Sequence, residues 1–310
     1  MPFKGFIVKI FSFSFSSHPN ECESYDSDEV DVPQWLNSHF FRKILTQYFK
    51  IPELRFVNVK FFPASAKGDY YMSVMFRVVV EYEISKNDDA SKIFLISKTM
   101  PEQEGPAKEL LDESHIFKTE IEMFEEILRE MGDNTSFGAS CIYHSLKPQQ
   151  VMVFEDLLPL GYAIVRRFAN AEELQAALTK LAKWHAVAQS TKREIQNCVN
   201  IRREYRENRQ ENSYYMLSHG DFHLRNIMFS GVECLLLDFQ MAHVGSMTSD
   251  IIYAMYALFD AEILREKSDE LIYNYFQTFL NTLNQIGYHY QLPSLIQFRH
   301  QMIKKEIMQV

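Results

Sequence analysis

Three features are missing from this sequence: a long apolar run, an excess of basic charge and closely spaced cysteines. Because no apolar run reaches about 18 residues, we expect no transmembrane helix. The formal net charge of −9 leaves no basic stripe to neutralise phosphates, so we expect no nucleic-acid partner. The cysteines lack C-x-x-C and zinc-ligand spacing, which predicts free thiols in a reducing cytoplasm; they are Cys22, Cys141, Cys198 and Cys234.

The composition is that of an ordinary globular protein. The chain has 310 residues, of which 46% are hydrophobic and 24% charged, enough for two lobes with a real core. Residues 1–31 join a serine-rich stretch to an acidic one, which predicts a disordered N-terminal extension. We expect a cytoplasmic protein that acts as a monomer.

Hydrophobic periodicity predicts two lobes of different character. Strands are predicted over 54–62, 74–82, 93–97, 139–146 and 151–154, and helices over 33–48, 112–131, 171–190, 249–259, 268–286 and 293–310. In the first half the order is three strands, a helix and two strands, as in the small lobe of a kinase. We therefore predict an α+β, protein-kinase-like two-lobed fold. It would have a small antiparallel nucleotide-binding lobe over 32–157 and a mainly helical catalytic lobe over 158–310.

The strongest chemical signal is His-Gly-Asp-Phe-His-Leu-Arg-Asn at residues 219–226, followed by Leu-Asp-Phe-Gln at 237–240. The spacing mirrors the H-R-D-x-x-x-x-N and D-F-G motifs of protein kinases. Asp221 is the candidate catalytic base that orients an acceptor hydroxyl, and Asn226 and Asp238 are candidate ligands for Mg²⁺ on ATP. The alternative is a plain turn at 219–221 and a strand cap at Asp238.

Lys98 and Glu120 form the second candidate pair. A strand lysine paired with a helix glutamate can hold the α- and β-phosphates of ATP. Lys98 ends a predicted strand and Glu120 lies within the following helix. The spacing alone is weak evidence, because Glu122 and Glu125 lie on the same predicted helix and are competing partners.

Further candidates lie at the edges of the predicted cleft. Gly68 and Ser73 stand where kinases place the loop that covers the phosphates, although a plain hairpin turn fits equally well. Glu155 and Leu157 lie where the strands give way to helices, and backbone groups there could face an adenine. Asp250 could either brace the 219–221 loop through its backbone N–H groups or simply begin a helix.

Together these residues resemble the ecdysteroid kinase-like (CHK kinase-like) family of the choline kinase and aminoglycoside phosphotransferase superfamily. The matching pieces lie at 32–36, 68–73, 98–101, 117–120, 154–157, 181–186, 219–226 and 238–250. His223 stands where the family usually has Trp, and Tyr70 where it often has Asn. The stretch between Ala186 and His219 is shorter than in relatives, which also continue past Val310, so we expect an incomplete large lobe.

The resemblance implies ATP-dependent phosphorylation of a hydroxyl on a small molecule, with an ecdysteroid or another steroid as acceptor and ATP and Mg²⁺ as cofactors. The alternative is a catalytically impaired kinase-like protein that binds a nucleotide or ligand without turnover. The missing glycine-rich loop, the absent A-P-E and the D-F-Q ending argue against a protein kinase.

Overall fold

The computed structural model describes residues 31–52, 54–64, 73–84, 90–101, 115–132, 137–165, 167–190 and 214–309. Several predicted features lie outside these residues. They are the N-terminal extension up to residue 30, the candidate phosphate loop at Gly68, the first three residues of the helix predicted over 112–131, and Cys22 and Cys198.

An antiparallel sheet forms the first part of the fold. Its strands are β1 (Arg55–Pro63), β2 (Val74–Glu83), β3 (Ser91–Thr99), β4 (Cys141–Ser145) and β5 (Val151–Glu155), in the order β1-β2-β3-β5-β4. Met75 and Met152 lie on either side of Lys98 in the register. This pairing places the Lys98 backbone inside the sheet, near the end of its central strand.

Both faces of this sheet are covered. Helix α1 (Ser38–Phe49) is capped at its N-terminus by Asn37, whose side chain accepts hydrogen bonds from the N–H groups of His39 and Phe40. Val151 and Val153 of β5 share a core with α1, whereas Met152 and Phe154 belong to the core on the opposite face. The alternation of strand side chains thus divides the apolar residues between two layers.

Helix α2 (Ile116–Glu122) covers the second face of the sheet. It continues through a π-helical turn (Met123–Ile127) into a last turn (Leu128–Glu130). Ile116, Phe117 and Ile121 are buried, and Glu120 is buried with them. A wide turn of this type shifts the helix face, and such turns are frequent at functional sites.

The second part of the fold is mainly helical. It contains β6 (Ala163–Ile164), α3 (Ala171–Ser190), β7 (Tyr215–Ser218), β8 (Ile227–Ser230), β9 (Glu233–Leu236), β10 (His243–Ser246), α4 (Ser249–Ala257), α5 (Ala261–Glu266), α6 (Ser268–Gln285) and α7 (Leu295–Gln309). Strands β8 and β9 form an antiparallel hairpin, and β10 pairs with β7. The predicted α+β, protein-kinase-like class is confirmed: an antiparallel sheet lobe with a helix joins a mainly helical region.

Some local features of the structure differ from the sequence prediction. Helix α5 was not predicted; it begins at Asp260, whose side chain accepts from the N–H groups of Glu262 and Ile263. Its six residues are too few to show a helical period. Tyr48, the last residue of the helix predicted over 33–48, is 48% exposed.

The described thiols are free, as predicted. Cys141 and Cys234 form no disulfide. Burial raises the pKa of Cys141 to about 12 and that of Cys234 to about 11. Both thiols therefore stay protonated and poorly nucleophilic at neutral pH.

Candidate active site

Lys98, near the end of β3, pairs with two carboxylates. Its Nζ lies 2.5 Å from Oε2 of Glu120 on α2 and 2.8 Å from Oδ1 of Asp238. The competing residue Glu125 instead lies near His144, with 3.2 Å between Oε1 of Glu125 and Nε2 of His144. The Lys98 side chain is 4% exposed and that of Glu120 is 2% exposed. The structure therefore brings Asp238 of the 237–240 motif and the Lys98–Glu120 pair together around one buried ammonium group.

Burial and charged neighbours shift the pKa values of Lys98 and Glu120. Burial by itself lowers the pKa of Lys98, but attraction to Asp238 and Glu120 outweighs it and raises the pKa. Burial raises the pKa of Glu120 despite the attraction of Lys98, and the nearby Asp238 charge adds to the rise. Phe239 N–H donates to Oε1 of Glu120 at 3.3 Å, so both oxygens of this carboxylate are hydrogen-bonded.

Asp250 braces the His219-Gly220-Asp221 loop. Its Oδ2 accepts from His219 N–H at 2.6 Å, and its Oδ1 accepts from Gly220 N–H at 3.0 Å. His185 on α3 approaches Oδ2 with Nε2 at 3.1 Å. The structure therefore shows the brace considered from the sequence. Asp250, in the first turn of α4, accepts hydrogen bonds from backbone N–H groups of the loop.

Gly220 is required by the path of this loop. Its φ is +83°, a region that side chains with a Cβ disfavour. A Cβ there would lie 2.1 Å from the carbonyl oxygen of Met241. The arginine of the protein-kinase pattern could not occupy this position without displacing the backbone.

His219 has a structural role. The ring is buried, and Nε2 donates to the carbonyl oxygen of Leu237 at 3.0 Å. Nδ1 is then the acceptor for the backbone N–H of Asp221, at 3.4 Å. Burial lowers the pKa of His219 against the attraction of neighbouring carboxylates, which keeps the ring neutral. The ring joins the two motif segments.

Hydrogen-bond donors surround the carboxylate of Asp221. Tyr253 O–H donates to Oδ1 at 3.0 Å, and Asn226 Nδ2 donates to Oδ2 at 3.1 Å. His223 Nε2 lies 3.4 Å from Oδ2. Burial works to raise the pKa of Asp221, but the interaction with His223 and the hydrogen bond from Tyr253 outweigh it and lower the pKa. Asp221 is therefore ionised at neutral pH, and 27% of its side chain remains exposed.

Asn226 comes just before the β8–β9 hairpin and Asp238 shortly after it. Leu237 N–H donates to the carbonyl oxygen of Asn226 at 2.8 Å. The side-chain nitrogen of Asn226 faces Asp221, which leaves its amide oxygen for another ligand. The Asp238 side chain is 25% exposed, and its backbone φ of +62° is unusual for a non-glycine residue.

This donor set fits Mg²⁺ bound to a nucleotide. Mg²⁺ takes one or two protein oxygens and completes its coordination with phosphates and water. Among the described residues there is no group of three or more His, Cys, Asp or Glu that could hold a metal by itself. One amide oxygen and one carboxylate agree with a metal ion that arrives with its nucleotide.

Aromatic rings fix the position of the Asp238-Phe239 segment. Phe239 stacks on Trp184 of α3 at 5.1 Å between ring centroids and contacts Phe124 edge-on at 5.5 Å. Trp184 Nε1 donates to the carbonyl oxygen of Leu217 at 3.0 Å. Phe239 thus packs between α3 and the π-helical turn after α2, and Trp184 links α3 to β7, so displacement of Phe239 would move Asp238.

Among the described hydrogen bonds and ion pairs, none joins Ser73, Glu155 or Leu157 to this charged cluster. Asp156 between Glu155 and Leu157 is buried, with Oδ2 at 2.5 Å from Nε of Arg77 on β2. The Arg77–Asp156 pair anchors the segment at residues 155–157, which connects the two parts of the fold, to the sheet. Ser73 is buried just before β2, whose first residues pair with the end of β3 that carries Lys98.

Sequence reasoning missed Tyr253 and Tyr275. Tyr253 contacts Asp221, and the hydroxyl of Tyr275 lies 2.6 Å from Nδ1 of His185. The only signal for Tyr253 in the sequence is its position three residues after Asp250, one turn along the same helix. No comparable signal points to Tyr275.

Acid should weaken the Asp250 brace. Burial works to raise the pKa of Asp250, but interactions with His185 and His219 and the hydrogen bond from Gly220 N–H lower it to about 2. A depressed pKa in the folded state contributes stability above the unfolded pKa, and protonation removes it. We expect wild type to lose about 2 kcal/mol of unfolding free energy from this group between about pH 4 and pH 2.

Urea unfolding at a series of pH values measures this loss. Asp250→Asn should be less stable than wild type at pH 7 and should approach it at the lowest pH. The control is Asp269→Asn, whose side chain is 89% exposed. A constant difference between Asp250→Asn and wild type at every pH would contradict the assignment.

Comparison with known proteins identifies the family. The sequence profile of the ecdysteroid kinase-like family matches residues 67–209 and 190–288, which together span more than half of the chain. The chain belongs to the ecdysteroid kinase-like family. The family suggested by the sequence motifs is thereby confirmed. No curated protein matches the chain significantly.

Solved structures with kinase names are also similar to the chain. The complex of amicoumacin kinase hAmiN with AMP-PNP, Ca²⁺ and Ami is 13% identical, with a TM-score of 0.40; the match covers 86% of this chain and 94% of that one. A choline/ethanolamine kinase family protein from Mesorhizobium loti is 12% identical, with a TM-score of 0.38; here 69% and 73% are covered.

A cavity lies away from the charged cluster. It is open, has a volume of about 710 Å³ and lies between α3, the β8–β9 hairpin and the start of α6. None of the candidate residues lines it, so the buried charges, rather than cavity size, locate the candidate site.

Within the described parts of the chain, no helix is both long enough and apolar enough to cross a membrane.

Proposed function

We propose that this chain is an ATP-dependent phosphotransferase that transfers a phosphoryl group to a hydroxyl of a small molecule. The observation that carries the proposal is the convergence of Asp221, Asn226, Asp238 and Lys98 at the junction of the sheet and the helical region. An ionised carboxylate, two oxygen ligands and a buried ammonium form the set that phosphoryl transfer requires.

Asp221 is the residue that receives the acceptor hydroxyl. Its lowered pKa keeps it ionised, so it can accept a hydrogen bond from the hydroxyl and aim the oxygen lone pair at the phosphorus. A carboxylate of low basicity takes the proton late, once the phosphorus–oxygen bond has begun to form. This timing suits a reaction in which positioning and charge stabilisation supply most of the catalysis.

Lys98 is the cation for the nucleotide phosphates. Glu120 orients its ammonium group through the 2.5 Å contact and keeps it charged. Asn226 and Asp238 are the residues that would hold Mg²⁺, which neutralises phosphate charge when bound. Lys98 already contacts Asp238, so the phosphate-binding and metal-binding groups are adjacent.

The remaining candidates complete a nucleotide site in this proposal. Backbone groups of Glu155 and Leu157 would face the adenine, and Gly68 and Ser73 would belong to the loop over the phosphates. Residues 32–157 would form the nucleotide-binding lobe and 158–310 the catalytic lobe. The acceptor class to test first is hydroxylated steroids, including ecdysteroids, because the chain belongs to the ecdysteroid kinase-like family.

The test is transfer of labelled γ-phosphate from ATP to a panel of acceptors. Purified protein is incubated with Mg²⁺, ATP and ecdysteroids, other hydroxylated steroids, choline or aminoglycosides, in separate reactions. We expect a labelled product with at least one hydroxylated small molecule, and the steroid arms test the narrower proposal. Nucleotide binding without transfer to any acceptor would favour a catalytically impaired binding protein instead.

A further inference from the structure

Tyr253 is placed against Asp221 by the same helix that braces the catalytic loop. Asp250 fixes the start of α4 to the backbone N–H groups of His219 and Gly220. Residues three apart lie on the same side of a helix, so this anchor also sets the position of Tyr253. Its hydroxyl lies 3.0 Å from Oδ1 of Asp221.

The contacts on Asp221 are divided between its two oxygens. Oδ1 accepts from Tyr253, whereas Oδ2 faces Asn226 Nδ2 at 3.1 Å and His223 Nε2 at 3.4 Å. The terminal torsion of an aspartate has a broad energy minimum, so a donor on one oxygen does not fix the carboxylate plane. Donors on both oxygens do fix the carboxylate plane. They thereby also fix the direction of the lone pair that remains for a substrate.

We propose that Tyr253 is a positioning residue for phosphoryl transfer, which orients the Asp221 carboxylate toward the acceptor hydroxyl. This role rests on the proposed function. The tyrosine acts as a hydrogen-bond donor and stays protonated, since burial and the Asp221 charge raise its pKa. The assignment adds a residue from α4 to a site otherwise built from the motif segments, β3 and α2.

The role predicts a separation of kinetic constants. In Tyr253→Phe the ring remains but the Oδ1 donor is lost, so Asp221 can rotate and still accept from Asn226. We expect kcat to fall about tenfold to a hundredfold, since hydrogen bonds to charged groups are the strong ones. The KM for ATP and the thermal shift produced by Mg²⁺ and ATP should match wild type, because Lys98, Asn226 and Asp238 are unchanged.

The matched control is Tyr273→Phe on α6, where the tyrosine is 45% exposed. It should leave kcat unchanged. If Tyr253→Phe turns over like wild type, the positioning role is wrong while the phosphotransferase proposal stands. If wild type transfers phosphate to no acceptor, the proposed function fails first, and the role of Tyr253 fails with it.

A spectroscopic measurement tests the contact without any substrate. In protein labelled at the ring Cζ of its 16 tyrosines, the resonance of Tyr253 is the one absent from Tyr253→Phe. That same resonance should shift in Asp221→Ala, which removes the acceptor, while the resonances of the other described tyrosines stay in place, because among them only this ring donates to the altered group. An unshifted Tyr253 resonance would show that the hydrogen bond does not form and would overturn the inference.

Discussion

Asp221→Asn is expected to lower kcat for phosphoryl transfer by about 10²- to 10⁴-fold, the usual contribution of a catalytic acid or base. The substitution keeps the shape of the side chain and an oxygen that can accept from Tyr253. It removes the negative charge that attracts the acceptor proton. Binding of Mg²⁺ and ATP should persist, because Lys98, Asn226 and Asp238 are unchanged. The measurement is kcat with the best acceptor, together with the melting temperature with and without Mg²⁺ and ATP.

Asp269→Asn on α6 is the matched control, since it makes the same chemical change at an exposed side chain. It should leave both readouts unchanged. Equal activity of Asp221→Asn and wild type would remove Asp221 from the reaction. Loss of nucleotide stabilisation along with activity would indicate that the loop had been disrupted, and the kinetic result would then reflect misfolding.

Lys98→Met is expected to lower the free energy of unfolding by about 3–5 kcal/mol. The ammonium is almost fully buried and faces both Glu120 and Asp238. Removing it leaves neighbouring carboxylates without their partner in a poorly hydrated site, and uncompensated buried charge is strongly destabilising. Urea unfolding followed by circular dichroism measures the change. Methionine preserves most of the apolar stem, which limits any packing contribution.

Strand β3 supplies its own control in Lys92. This lysine pairs with Glu81 at 3.0 Å, but its side chain is 55% exposed. Exposed pairs of this kind contribute little to stability, so Lys92→Met should unfold at nearly the wild-type urea concentration. Adding Glu120→Gln to Lys98→Met should recover part of the loss by removing one of the unpaired charges. Equal effects of Lys92→Met and Lys98→Met would contradict the buried cluster.

The parts of the fold that could be predicted are those whose signal is local. Helix α3 was predicted over the residues it occupies, because its apolar residues repeat with a helical period over twenty positions. Strand β2 was located by its strict alternation, which reflects packing of one face on α1. Helix α5 has too few residues for a period, and the π-helical turn after Glu122 depends on packing between α2 and the Phe239 region.

The candidate site divides in the same way. Asp221, Asn226 and Asp238 could be found because short loops with fixed spacing place them, and Lys98 and Glu120 because both fall on regular elements. Tyr253 and the ring stack of Trp184 on Phe239 could not, since each contact joins segments more than thirty residues apart in the chain. Such contacts follow from the tertiary packing of α3 and α4, to which a single sequence gives no direct guide.

The most direct test of the account is the Mg²⁺ dependence of ATP binding, measured by calorimetry on wild type and on Asp238→Asn. If Asn226, Asp238 and Lys98 form a metal–nucleotide site, wild type should bind ATP with Mg²⁺ and bind it at least about tenfold more weakly in EDTA. Asp238→Asn should show much less difference between the two conditions. ATP binding by wild type that is absent, or equally strong with Mg²⁺ and with EDTA, would contradict the account.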